Sequence, residues 1–186
     1  VALAAFGFGF LLWLALIWVH SARAEPQEGF DYEVRSPPTA QRPAPGRVEV
    51  IEFLWYQCPH CNTLLPLIEP WAWAARERVD FIRVPMALQR DSARQVAMYY
   101  ALETLGEIER LHPLIFQAIH EDRLPLKTPA QMADFLAEEG VSRQRFLKAM
   151  RSAEVRKRVA RASHLASHYG IREVPTLVVD GRFVTS

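Results

Sequence analysis

Residues 48–61 read VEVIEFLWYQCPHC and join a strand-like apolar run to the only two cysteines of the 186-residue chain. Cys58 and Cys61 open a predicted helix. Their spacing places both on one helical face, within the distance that a disulfide can bridge. A zinc site would need about four ligands, and no second cysteine pair is present to complete one. A structural disulfide would usually close a longer loop. The pattern therefore favours a thiol–disulfide redox site.

The two residues between the cysteines are suited to tuning that chemistry. Cys58 lies at the helix start, where unpaired N–H groups and the positive end of the helix dipole favour a thiolate. Pro59 suits the first turn because it lacks an N–H that would be unpaired there. His60 can add a hydrogen bond or a positive charge beside the Cys58 sulfur. A more stable thiolate makes the reduced form more stable and the disulfide a stronger oxidant.

These motifs together resemble those of a known family. Residues 51–53 (IEF), residues 58–61 (CPHC) and residues 174–176 (VPT) resemble the DsbA family of periplasmic thiol:disulfide oxidoreductases, over roughly Phe30 to the chain end. The resemblance implies an α/β protein with a thioredoxin fold and an inserted α-helical domain. In that fold one more helix follows the last hairpin, and we expect it to be missing from this chain, which ends at Ser186.

The resemblance also implies an activity. A substrate thiolate attacks Cys58 of the Cys58–Cys61 disulfide, a mixed disulfide forms, and a second substrate thiolate resolves it. The expected substrates are unfolded or folding exported proteins that contain cysteine. The implied reoxidant is a DsbB-like, quinone-linked membrane protein, and no metal or organic cofactor is expected.

Three residues outside the motif are further candidates for the site. Glu52 lies within an apolar strand, where burial raises the pKa of a carboxyl. The resemblance places it beneath the cysteine pair, where it exchanges a proton with buried Cys61. The alternative for Glu52 is a strand-end carboxyl that reaches solvent, as we expect for Glu49. The resemblance also places Pro175 at the cis-proline position of the fold, and the backbone of Val174 is expected to pair with an extended substrate segment.

The remaining pattern alternates strands and helices. Residues 48–55 are apolar on both faces and predict a central strand. The other predicted elements are an edge strand at 30–34, a helix at 58–78 kinked or interrupted at Pro66 and Pro70, a strand at 79–84, several helices, and a hairpin at 176–184 turning at Asp180–Gly181.

Three segments are expected along the chain. Residues 1–24 form an export signal cleaved near Ala24, or a membrane anchor through the uncharged residues 1–19. Residues 25–46 form a proline-rich linker and edge segment. Residues 47–186 form the thioredoxin-like domain, with the helical insertion at about 88–150. Either reading of residues 1–24 places the cysteines in the periplasm, where disulfides persist.

Two other classes of function remain open from the sequence. One is a membrane-tethered thioredoxin-like reductase or isomerase, and the other is a non-enzymatic module that binds a metal or a peptide. A nucleic-acid partner is not expected, because the formal net charge is only +1.

Overall fold

The centre of the fold is the strand that precedes the cysteine pair. The structure is a computed structural model that describes residues 25–35, 45–89 and 92–186. Its sheet contains β1 (Glu33–Val34), β2 (Val48–Leu54), β3 (Val79–Pro85), β4 (Thr176–Val179) and β5 (Phe183–Thr185). The strand order is β1-β5-β4-β2-β3, with β2 parallel to β3 and the other neighbours antiparallel. The expectations for residues 1–24 and 36–44 lie outside the described residues.

Strand β2 is covered on both faces, as its sequence predicts. Residues 50–54 are all buried. One prediction for this strand is wrong, because Glu49 is only 4% exposed rather than at the solvent. Helix α6 (Ala153–His168) covers that end of the strand, and its Arg158 and Arg161 line the same pocket as Glu49. Because β2 lies between two other strands and beneath a helix, even the Glu49 carboxyl near its start is buried.

The edges of the sheet follow turn chemistry. The predicted hairpin is confirmed: Asp180 and Gly181 both have positive φ values, of 52° and 60°, as a type I′ turn requires. The predicted edge strand at 30–34 is shorter than expected, since only Glu33–Val34 pairs with β5. A turn occupies the preceding residues, in which the Gly29 N–H donates to the Tyr32 carbonyl.

Helix α1 (Pro59–Ala75) carries the second cysteine and runs through two internal prolines. Of the expected kink or interruption at Pro66 and Pro70, the interruption is absent, because the helix is continuous. Both prolines are exposed. Each proline removes one backbone hydrogen bond, and at an exposed position water can satisfy the carbonyl that is left without its donor.

Between β3 and α6 the chain folds into four helices with clear end signals. Gly106 has φ 75° and ends α2, while Thr128 begins α4 with a capping box that Gln131 completes. Ser142 caps α5 through its hydroxyl. These helices are α2 (Ala93–Leu105), α3 (Ile108–His120), α4 (Pro129–Glu138) and α5 (Arg143–Met150).

Candidate active site

Cys58 lies in the turn between β2 and α1 and caps the helix. Its backbone is extended, with φ −82° and ψ 118°, and its sulfur accepts a hydrogen bond from the Cys61 N–H at 3.4 Å. The Cys58 N–H donates to the Trp55 carbonyl at 2.9 Å. This arrangement directs the Cys61 N–H of the first helical turn at the Cys58 sulfur.

The two cysteines differ in their access to solvent. Both are free thiols, 6% and 1% exposed for Cys58 and Cys61, and the intervening Pro59 and His60 are exposed. Burial raises the pKa of Cys61 well above its ordinary value, and its hydrogen bond with Cys58 and the charge of Glu52 act in the same direction. Cys61 therefore holds its proton. Cys58 is the more exposed of the two cysteines, although both are buried.

The expected contact between His60 and the Cys58 sulfur is not formed. Within the described residues, the polar partners of this sulfur are the Cys61 N–H and the Val174 carbonyl. His60 is exposed to solvent at the helix start.

The loop before β4 meets the cysteines. The peptide bond between Val174 and Pro175 is cis, as predicted. The Cys58 thiol donates a hydrogen bond to the Val174 carbonyl at 3.3 Å, across 116 positions of sequence. Strand β4 begins at the next residue, Thr176. The sheet therefore holds this loop and the helix start face to face.

Glu52 is buried on β2 beneath the helix start. It is 3% exposed, and burial raises its pKa to about 7, against a lowering by Arg83 and a further rise caused by Glu69. The Arg83 Nε atom lies 3.9 Å from a Glu52 carboxylate oxygen, which is an ion-pair distance without a hydrogen bond. Near neutral pH this carboxyl can either hold or release a proton.

Arg83 is a site residue that the sequence reasoning missed. It lies directly opposite Glu52 in the register of β2 and β3. Its guanidinium also binds Glu69 at 2.5 Å and Glu109 at 3.1 Å. The signal was available, because Arg83 is an isolated cation in an apolar strand that pairs with the strand of Glu52.

A second missed group packs against the active-site turn. Tyr56 is buried two residues before Cys58, and its hydroxyl is 2.9 Å from Nδ1 of His112 in α3. His120 of the same helix contacts the Tyr56 carbonyl oxygen. The helical spacing of His112 and His120 in the sequence does not indicate that they contact this turn.

Neither a metal site nor a bilayer-spanning helix is found in the part of the chain that the structure describes. In that part, no cluster of three histidine, cysteine or acidic side chains is arranged to hold a metal ion. None of its helices has both the length and the apolar character that crossing a bilayer requires.

Known proteins are similar to this chain in both sequence and fold. The family model described as "DSBA-like thioredoxin domain" matches residues 68–186. A thiol:disulfide interchange protein DsbA of Burkholderia cepacia is 42% identical over 175 residues, which cover 94% of this chain and 82% of that protein. A protein of the same name from Pseudomonas aeruginosa is 36% identical, and the matched region covers 93% of this chain and 82% of that protein.

Solved structures agree with these relatives. The crystal structure of Pseudomonas aeruginosa DsbA superposes with a TM-score of 0.78 at 35% identity, covering 84% of this chain and 81% of that one. The oxidoreductase DsbA from Xylella fastidiosa gives a TM-score of 0.80 at 31% identity, covering 87% and 88%. Fold and dithiol site together define a thiol:disulfide oxidoreductase with a thioredoxin fold. The chain belongs to the DsbA-like family, which confirms the predicted enzyme class.

Proposed function

We propose that this protein donates its Cys58–Cys61 disulfide to folding exported proteins through a mixed disulfide at Cys58. The observation that carries the proposal is the position of the Cys58 sulfur, 3.3 Å from the Val174 carbonyl in the loop proposed to dock the substrate. Cys58 is also the more exposed of the two cysteines, at 6% against 1% for Cys61. A substrate thiolate docked at this loop is proposed to attack Cys58.

The proposed reaction transfers two electrons and two protons from substrate to enzyme. A substrate thiolate attacks the Cys58 sulfur, the Cys58–Cys61 bond breaks, and Cys61 leaves with the electron pair. A second substrate thiolate then attacks the substrate sulfur of the mixed disulfide and displaces Cys58. The substrate leaves with a disulfide, and the enzyme leaves with two thiols.

Glu52 is the proposed proton donor for Cys61. A buried thiolate at Cys61 is unfavourable, since burial raises the pKa of this thiol. Burial also raises the pKa of Glu52 to about 7, so that near neutrality this carboxyl can give a proton and take it back. Arg83 is the proposed counter-ion for the carboxylate form.

Substrate backbone is proposed to dock beside Val174 and Pro175. Main-chain hydrogen bonds to an extended segment provide affinity with little preference for sequence, as strand addition does elsewhere. Pro59 and His60 are proposed to shape the exposed helix start and to favour the Cys58 thiolate.

The proposed setting is the periplasm, with a DsbB-like, quinone-linked membrane protein as reoxidant. Residues 1–24 are proposed as the export signal or anchor, and residues 25–46 as the linker and edge segment. Within the proposed domain 47–186, the insertion covers about 88–150. Relatives named DsbA at 36% and 42% identity support this assignment.

A measured reduction potential tests the direction of the reaction. The protein is equilibrated with glutathione buffers, and the fraction of dithiol is followed by tryptophan fluorescence. We expect a potential well above about −200 mV, in the range of oxidants rather than thioredoxin. A value near about −270 mV would favour the reductase or isomerase alternative.

A second experiment tests the proton donor. We expect Glu52→Gln to slow the step in which Cys61 leaves, measured by stopped flow with a reduced peptide between pH 6 and 8. Glu138→Gln, an exposed carboxyl on α4, is the control. Equal rates for the Glu52 variant and the parent protein across this range would leave Glu52 a structural role only.

A further inference from the structure

We infer that His120 of α3 is a positioning residue for the reactive cysteine, acting through the backbone of Tyr56. The Nε2 atom of His120 is 2.9 Å from the Tyr56 carbonyl oxygen, which lies two residues before Cys58. A carbonyl can only accept, so the imidazole N–H donates this hydrogen bond. The inference deepens the proposed function and rests on Cys58 as the attacked sulfur.

Three side chains of α3 form one continuous contact with Tyr56. His112, Phe116 and His120 are four residues apart and therefore lie along one helical face. The ring centroid of Phe116 lies 5.0 Å from that of Tyr56, and the ring centroid of His112 lies 5.4 Å from it. The His120 ring stacks on the Phe116 ring, with a centroid distance of 5.9 Å and an angle of 19° between the ring planes. We call this set the α3 stripe.

The two ends of the α3 stripe hold Tyr56 by different groups. His112 binds the phenol hydroxyl at 2.9 Å and is 1% exposed. Burial lowers the pKa of His112 to about 3, so this bond is between neutral groups throughout the neutral range. His120 is half-buried and binds the main chain of the same residue. Tyr56 is thereby fixed at both its side chain and its backbone.

The backbone contact can be transmitted to Cys58. The Tyr56 carbonyl and the Gln57 N–H belong to one planar peptide unit, so fixing the oxygen fixes the direction of the N–H. The preceding carbonyl, of Trp55, accepts the Cys58 N–H at 2.9 Å. Two consecutive carbonyls of the turn are therefore tied, one to α3 and one to Cys58 itself. Loss of the His120 bond would leave Tyr56 held by its side chain alone, with its carbonyl free to change direction.

This geometry assigns a role to α3 in the reaction. The helix is far from the cysteines in sequence, yet it contacts the turn that presents them. Attack on a disulfide requires an aligned sulfur, and small errors in position reduce the rate. His120 is then needed for the rate at Cys58 rather than for the stability of the fold.

The test compares His120→Ala with His120→Gln, whose amide N–H can still donate to the carbonyl. The oxidised protein is mixed with excess reduced glutathione, and tryptophan fluorescence gives the rate constant. We expect the alanine variant to react about threefold to tenfold more slowly than the parent, and the glutamine variant to react within about twofold of it. His164→Ala, exposed on α6, is the matched control and should equal the parent.

Two further readouts distinguish positioning from general damage. Urea midpoints should show that all variants are folded under the assay conditions. The amide signal of Gln57 in a nitrogen–proton spectrum should move in His120→Ala and return in His120→Gln. Equal rates for the alanine variant and the parent, or a glutamine variant as slow as alanine, would overturn the inference. A parent protein that does not react with glutathione would instead contradict the proposed function.

Discussion

The surface around Cys58 and the interior behind Cys61 are built in different ways. Cys58 is surrounded by the first turn of α1 and by the Val174 carbonyl. Behind Cys61, a carboxyl from β2 and a guanidinium from β3 meet further acidic groups from α1 and α3. The proposed roles of the two sulfurs follow this difference: Cys58 is proposed to form the mixed disulfide, and Cys61 is proposed to leave and be reprotonated.

The largest expected effect is on thiol reactivity. In the dithiol form, iodoacetamide should alkylate Cys58 more than about 100-fold faster than Cys61 at pH 7, since burial raises the pKa of Cys61 and blocks access to it. Peptide mapping by mass spectrometry gives both rates. In urea the two rates should converge. Similar rates in the folded protein would remove the difference between the two regions.

The free energy of unfolding should depend on pH because of the buried carboxyl of Glu52. The pKa of Glu52 is about 7 in the folded protein against an ordinary value of 4.5. Between these values the unfolded chain binds fewer protons, so stability falls as pH rises. From pH 5 to pH 8 the parent should lose about 2.5 kcal/mol of stability relative to Glu52→Gln.

Urea unfolding at the two pH values measures that loss. Glu138→Gln serves as the exposed control and should follow the parent. Parallel pH profiles for the Glu52 variant and the parent would show that the carboxyl is not held in a buried, neutral form.

Removing the hydroxyl of Tyr56 should affect stability by an intermediate amount. Tyr56→Phe leaves Nδ1 of the buried His112 without its partner, and we expect the free energy of unfolding to fall by about 1–3 kcal/mol. Tyr32→Phe, at a half-buried edge position, should change it by less than about 0.5 kcal/mol. If the free energy of unfolding falls equally in both variants, the Tyr56–His112 hydrogen bond makes no specific contribution to stability.

The smallest effect concerns a helix cap in the α2–α5 region. Thr128→Ala removes the capping box of α4 and should cost about 1 kcal/mol of stability. The rate with glutathione should not change, because this cap makes no contact with the active-site turn. A slower rate would mean that any weakening of these helices reaches Cys58, and the specific role of His120 would be lost.

Much of the outer region could be predicted because its signals are local. The CPHC motif, the Asp180–Gly181 turn and the alternation along β2 each depend on neighbouring residues. The structure bears out the hairpin, the covered strand and the cis bond before Pro175. The meeting of residues 174–175 with the cysteines followed from the family resemblance rather than from any local pattern.

The interior region was harder to predict because tertiary packing creates it. Glu49 was expected at the solvent, and α6 buries it. Arg83 became visible only through the register of two strands that are far apart in sequence. His112 and His120 follow ordinary helical spacing, and nothing in that spacing indicates the turn that they contact.

The most direct test identifies the sulfur that carries the substrate. The oxidised protein is mixed with a reduced cysteine-containing peptide, quenched with acid within milliseconds to seconds, and mapped by proteolysis and mass spectrometry. The account predicts the peptide on Cys58, with Cys61 as a free thiol, in every trapped complex. A peptide found on Cys61 would contradict it.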